Sequence, residues 1–137
     1  MRLEQTFLWA PKEYWEFTEE QLRDLIGDGG CGPGGVGDYL VPDKLYGSID
    51  VKPACMIHDY MYAVGEDEHD KDYADEVFFN NMLQLIMWET ASWYGDKEKQ
   101  ARVREECFRQ AKTYFNFVKW FGGPSFWAGK EKPKEEV

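Results

Sequence analysis

The segment PACMIHDYMY, residues 53–62, places His58 directly before Asp59 in an otherwise apolar stretch, with Cys55 three residues before the histidine and Tyr62 four after it. Histidine suits a general base near neutral pH, provided that a second group fixes its tautomer and leaves the other ring nitrogen free. Adjacent residues of a helix point about 100° apart, so Asp59 cannot be that group. The helix that follows offers Asp72 and Asp75. Asp75 shares a helical face with Phe79 and Met82 and so points inward; Asp72 replaces it if the register shifts by a turn.

Asp59 then needs a partner of its own. Upstream, GDGGCGPGGVG (27–37) contains seven glycines, a density that no helix or strand tolerates. A loop of this kind lets several backbone carbonyls converge where side chains would obstruct. Calcium takes hard oxygen ligands, carbonyls included, so a carboxylate beside such a loop points to a calcium site. Each residue also has a blander explanation. A lone histidine in an apolar helix is most often a satisfied core residue, and a lone aspartate is most often a surface charge. The joint pattern is what favours chemistry.

Four helical segments must position these groups. The first runs about 18–26, with Thr18 as cap, Gln21 as its capping-box partner and Leu22, Leu25 and Ile26 as the apolar face. The second begins near Pro53 and runs to about Val64. GEDEHDKD (65–72) reads as a charged connector. A long helix follows over about 72–90, with Val77, Phe78, Met82, Leu85, Ile86 and Trp88 at helical spacing, packed antiparallel to the second because the connector is short. Gly95 breaks it, Asp96 caps the fourth helix over about 97–121, and Val103, Cys107, Ala111, Tyr114 and Val118 form its stripe. Gly122-Gly123-Pro124 is a stop. No run of alternating strand residues stands out. The class is mainly α, one domain over 1–137 with its core at about 18–122 and a C-terminal extension over 123–137 that ends in a solvated tail.

Composition excludes several alternatives. The chain of 137 residues carries 16 basic and 26 acidic residues, a formal charge of −10. Nucleic-acid affinity rests on Lys and Arg neutralising phosphates, so no nucleic-acid partner is expected. Two histidines and three cysteines without a CxxC do not complete a tetrahedral zinc site. Asp67, His69 and Asp70 fail the EF-hand pattern, which requires a glycine at the sixth loop position and a glutamate at the twelfth. Three cysteines allow at most one internal disulfide, and Cys107, at core spacing, reads as a buried free thiol.

CGPGG (31–35) followed by CMIHDYMY (55–62) resembles the secreted phospholipase A2 superfamily, whose calcium loop reads CGxGG and whose helix reads CxxHDxxY. ADEVFFNNM (74–82) is similar to the ADxxF segment of its viral and bacterial branches, and YFNFVKWFG (114–122) to the closing helix of small bacterial members. Together these cover roughly residues 27–122, in the family's order. The resemblance implies a small phospholipase A2-like fold with two antiparallel core helices, a glycine-rich calcium loop and an additional C-terminal helix. It implies His58 as the base that activates water, Asp75 as its orienting carboxylate and Tyr62 as a hydrogen-bond donor to Asp75. Asp59 would ligate calcium with the carbonyls of Gly30, Gly32 and Gly34, and the Gly32 amide would stabilise the oxyanion formed at the sn-2 ester. Cys31 and Cys55 match the family's bridge between loop and helix. The chain departs from the family in having room for one disulfide only, in the 23 residues between Cys31 and Cys55, and in Asp28, which is out of step with the metal-binding aspartate of small bacterial members.

The implied function is calcium-dependent hydrolysis of glycerophospholipids at a membrane surface or micelle. The alternative is a silent or latent module on the same scaffold, docked in a larger phage or secretion assembly. Phe126 and Trp127, in WFGGPSFWAG (120–129), are the rings expected either to fold back on the core or to meet lipid or a protein partner. With no visible export signal, a secreted, periplasmic or virion-delivered setting is expected over a resident cytosolic one.

Overall fold

The computed structural model describes residues 7–27, 44–46, 49–93 and 95–130. The chain is mainly helical, and its helices start where side chains can satisfy free backbone amides. Thr18 opens α2 (Glu19–Ile26) with a reciprocal capping box: its hydroxyl accepts from the Gln21 amide at 3.1 Å, and its own amide donates to Gln21 Oε1 at 2.9 Å. Asp96 opens α5 (Lys97–Phe121), accepting from the Lys99 amide at 3.0 Å. Between them lie α3 (Lys52–Val64), with Pro53 in its first turn, and α4 (Glu68–Thr90).

α4 begins four residues earlier than the sequence suggested. The acidic run is not a connector but a helix start: Asp67 accepts from the Asp70 amide at 2.8 Å, and Asp70 accepts from the Glu66 amide at 2.8 Å. Glu68 and Asp70 also place negative charge where the helix dipole favours it. Only Gly65, Glu66 and Asp67 separate α3 from α4. The two helices run antiparallel: His58 stacks on Phe78 at 4.6 Å between ring centroids, whereas Tyr62, one turn on, lies under Lys71. α5 in turn runs antiparallel to α4, since Lys71 reaches the Val118 carbonyl and Arg104 reaches Thr90 Oγ1.

Phe78, Met82 and Ile86 of α4 are fully buried between α3 and α5, against Val103, Cys107 and Ala111. Each such apolar side chain contributes about 1.5–3 kcal/mol by leaving water. Trp88 does not join them. Two residues on from Ile86 it points away from the core, is 57% exposed, and stacks on Phe7 at 5.7 Å. Leu25 of α2 is likewise exposed, leaving Leu22 as the buried contact of that helix.

Three short elements carry too little periodicity to be read from sequence. α1 (Lys12–Glu16) follows Pro11 and buries Tyr14 against Tyr60, with ring centroids 5.4 Å apart. Strands β1 (Lys44–Leu45) and β2 (Ile49–Asp50) pair antiparallel, Leu45 opposite Ile49, and both side chains are buried. α6 (Gly123–Trp127) starts directly after α5, because Pro124 occupies a first-turn position where its missing amide costs nothing. The core thus includes Leu8 and Tyr14 before residue 18 and Phe126 after residue 122. Among the described residues no helix is long and apolar enough to cross a membrane.

Candidate active site

α3 and α4 bring His58, Tyr62, Lys71 and Asp75 together in the protein interior. His58 is 6% exposed and Asp75 1%. His58 Nε2 lies 2.8 Å from Asp75 Oδ1, and the Tyr62 hydroxyl donates to the same oxygen at 2.6 Å. Lys71, one turn before Asp75 on α4, donates from Nζ to Oδ2 at 2.8 Å. Asp72, the sequence-level rival, is exposed on the outer side of α4.

The charges follow from burial and these contacts. Burial alone would raise the Asp75 carboxyl, but the bonds from His58, Lys71 and Tyr62 outweigh it and hold the group below the usual carboxylate range. Asp75 is therefore an acceptor, so Nε2 carries the imidazole proton and Nδ1 carries the lone pair. Burial lowers the pKa of His58 more than Asp75 raises it, with Lys71 adding to the lowering, so the imidazole is neutral at neutral pH. Among the described residues Nδ1 has no hydrogen-bond partner. The Tyr62 hydroxyl is pushed up by burial and by Asp75, and remains a donor. A buried carboxylate thus orients a neutral imidazole whose second nitrogen is free to take a proton.

Asp59 turns away from this group, on the flank of α3. It is only partly exposed, burial pushes its carboxyl up to about 8, and among the described residues it has no hydrogen bond or ion pair. An uncompensated carboxylate withdrawn from water is what a bound cation would stabilise. Among the described residues no three Asp, Glu, His or Cys side chains converge on one point, so a cation held at Asp59 would draw on further oxygen donors, backbone carbonyls among them. That composition fits calcium. The expected contributors Gly30, Gly32 and Gly34, with Cys31, lie outside the described residues. Cys55 is disulfide-bonded, and Cys107 is the buried free thiol, raised to about 11 by burial and then by Glu106.

Two contributors were missed in the sequence. Lys71 lay inside the supposed connector, although a lysine four residues before an inward aspartate was a usable signal. Gly122, the C-cap of α5, is also required: a Cβ there would overlap the Tyr62 hydroxyl. Phe126 of α6 meets the Tyr62 ring edge-on at 5.3 Å and is fully buried, so it packs the site from behind and offers no surface to a partner. Trp127 is partly buried and donates to Glu68. The rings left at the surface of this end are Trp120 and Phe121, 68% and 63% exposed.

Comparison with protein-family models, with curated proteins and with solved structures gives no match.

Proposed function

We propose that this chain is a calcium-dependent phospholipase A2, with a phospholipase A2-like fold, that hydrolyses the sn-2 ester of glycerophospholipids. The observation that carries the reading is the shared oxygen of Asp75, held by His58 Nε2 and by the Tyr62 hydroxyl, with Nδ1 of His58 left as the base. The CGPGG and CMIHDYMY motifs, and a desolvated Asp59 without a counter-charge among the described residues, point the same way.

In this mechanism His58 Nδ1 takes a proton from water as the oxygen adds to the ester carbonyl. Asp75 keeps the ring oriented and stabilises the imidazolium that forms. The Gly32 amide would donate to the developing oxyanion, as the CGPGG motif implies. As the ester C–O bond breaks, the imidazolium returns its proton to the glycerol oxygen, and a fatty acid and a lysophospholipid leave. Asp59, with the carbonyls of Gly30, Gly32 and Gly34, would hold calcium, which would supply positive charge to stabilise the oxyanion. A Cys31–Cys55 bridge would anchor that loop to α3. The direct test is fatty-acid release from phosphatidylcholine vesicles with calcium and with chelator. Release that ignores the chelator would remove calcium from the reaction.

A second reading, a latent or silent module docked in a larger assembly, is favoured by one observation: Trp120 and Phe121 stand exposed side by side at the end of α5. A calcium-dependent rise in melting temperature without lipid hydrolysis would support it.

A further inference from the structure

We propose that Lys71 is a positioning residue for the reaction: its ammonium clamps Asp75 to the last turn of α5 and thereby aims the imidazole of His58. The assignment of a reaction rests on the phospholipase reading, but the clamp itself stands on geometry. Lys71 is 4% exposed, an uncommon position for a lysine, and all of its reach is used. Nζ donates to Asp75 Oδ2 at 2.8 Å, to the Val118 carbonyl at 3.1 Å and to the Lys119 carbonyl at 3.3 Å. Three donors meet three acceptors, which satisfies a buried ammonium.

Each acceptor matters. Oδ1 of Asp75 already takes His58 and Tyr62, so Lys71 is the group that secures the other oxygen and prevents the carboxylate from rotating about its Cβ–Cγ bond. The Val118 and Lys119 carbonyls lie at the C-terminal end of α5, where the helix dipole favours a cation, and the Val118 carbonyl accepts from Lys71 in addition to the Gly122 amide. One side chain therefore joins the end of α5 to the dyad carried by α3 and α4. Burying an ammonium is costly unless it is fully paired, so a fold that only needed to fill this space would do so with an apolar residue.

Lys71 also lines an open cavity of about 450 Å³, together with Lys119, Trp120, Pro124 and Trp127. The same side chain borders the cavity and reaches Asp75, so Lys71→Ala leaves a channel from one to the other. A small alkylammonium ion can refill that channel, whereas a neutral alcohol of the same size cannot supply the charge.

The experiment measures two properties of the full chain for wild type, Lys71→Ala, and Lys71→Ala with propylammonium or with propanol. The first is the low-field NMR signal of the His58 Nε2 proton, assigned by its loss in His58→Ala. The second is kcat and KM for phosphatidylcholine well below the melting temperature. We expect Lys71→Ala to lose the proton signal and about 10- to 100-fold in kcat with little change in KM. Propylammonium should restore both and propanol neither. Retention of signal and kcat with only a lower melting temperature would reduce Lys71 to a structural brace and overturn the proposal, as would equal rescue by propanol. Should Lys71→Ala fail to fold, Lys71→Met keeps an apolar stem and removes the ammonium with its three hydrogen bonds, and the first two readouts decide. A wild type that releases no fatty acid would sink the phospholipase reading, while the proton signal still decides the clamp.

Discussion

Gly122 and Tyr62 come so close that the helix cap and the hydroxyl on Asp75 cannot both be kept if residue 122 gains a side chain. Gly122→Ala should therefore lower kcat several-fold by displacing the Tyr62 hydroxyl. It should also destabilise the fold by about 1–3 kcal/mol, the usual cost of overpacking. Adding Tyr62→Phe removes one of the two oxygens being struck, the Val118 carbonyl being the other, so the double variant should be more stable than the sum of the two single changes allows. Urea unfolding of the four proteins measures this. Strict additivity would mean that the two residues do not compete for the same space.

Asp59 should make the stability of the calcium-free protein depend on pH in an unusual direction. A carboxyl raised to about 8 in the fold, against about 3.9 when unfolded, binds its proton more tightly in the folded state. Its contribution is complete below about pH 4 and is lost as pH rises towards 8. With chelator present, the melting temperature should carry this decline across that window, and Asp59→Asn should flatten it. Calcium should raise the wild-type melting temperature most near pH 8 and leave Asp59→Asn unmoved. A calcium effect that survives Asp59→Asn would place the metal elsewhere.

Asn81 joins the segment before α1 to the core. It is fully buried, accepts from the Trp9 amide at 2.9 Å and donates to the Trp9 carbonyl at 2.8 Å. Asn81→Ala leaves two backbone groups without these partners and should cost about 1–3 kcal/mol in urea unfolding. The calcium-induced shift in melting temperature should persist, because Asp59 is untouched. A neutral substitution would show that water replaces both bonds.

Trp120 and Phe121 should govern adsorption to lipid without supporting the fold. Replacing both by Ser should leave the melting temperature within about 1 °C while vesicle binding in a sedimentation assay falls about tenfold. Unchanged binding would free these rings for a protein partner.

The helices were legible where caps and long periodicity agreed: Thr18 and Gln21, Pro53, and Asp96 each mark a start that the structure keeps. Asp75 was legible because one apolar face, through Phe79 and Met82, fixed its direction. The start of α4 is not legible, because a run of charges equally suits a solvated connector, whereas Asp67 and Asp70 form a cap. Lys71 is hidden within the same run. Gly122 and the burial of Phe126 depend on how α5 and α6 meet, a long-range relationship that neither periodicity nor composition carries. Trp88 shows the opposite error, a ring assigned to the core by type although its helical angle turns it outward.

The measurement that tests the central claim most directly is hydrolysis of phosphatidylcholine bearing different acyl chains at sn-1 and sn-2, by wild type and His58→Ala, each with calcium and with chelator. We expect the sn-2 fatty acid alone, released only with calcium, and a loss of about 100- to 10,000-fold in His58→Ala, the usual contribution of a general base. Equal release by His58→Ala, or release of the sn-1 chain, would contradict the assignment of His58 as the base of a phospholipase A2.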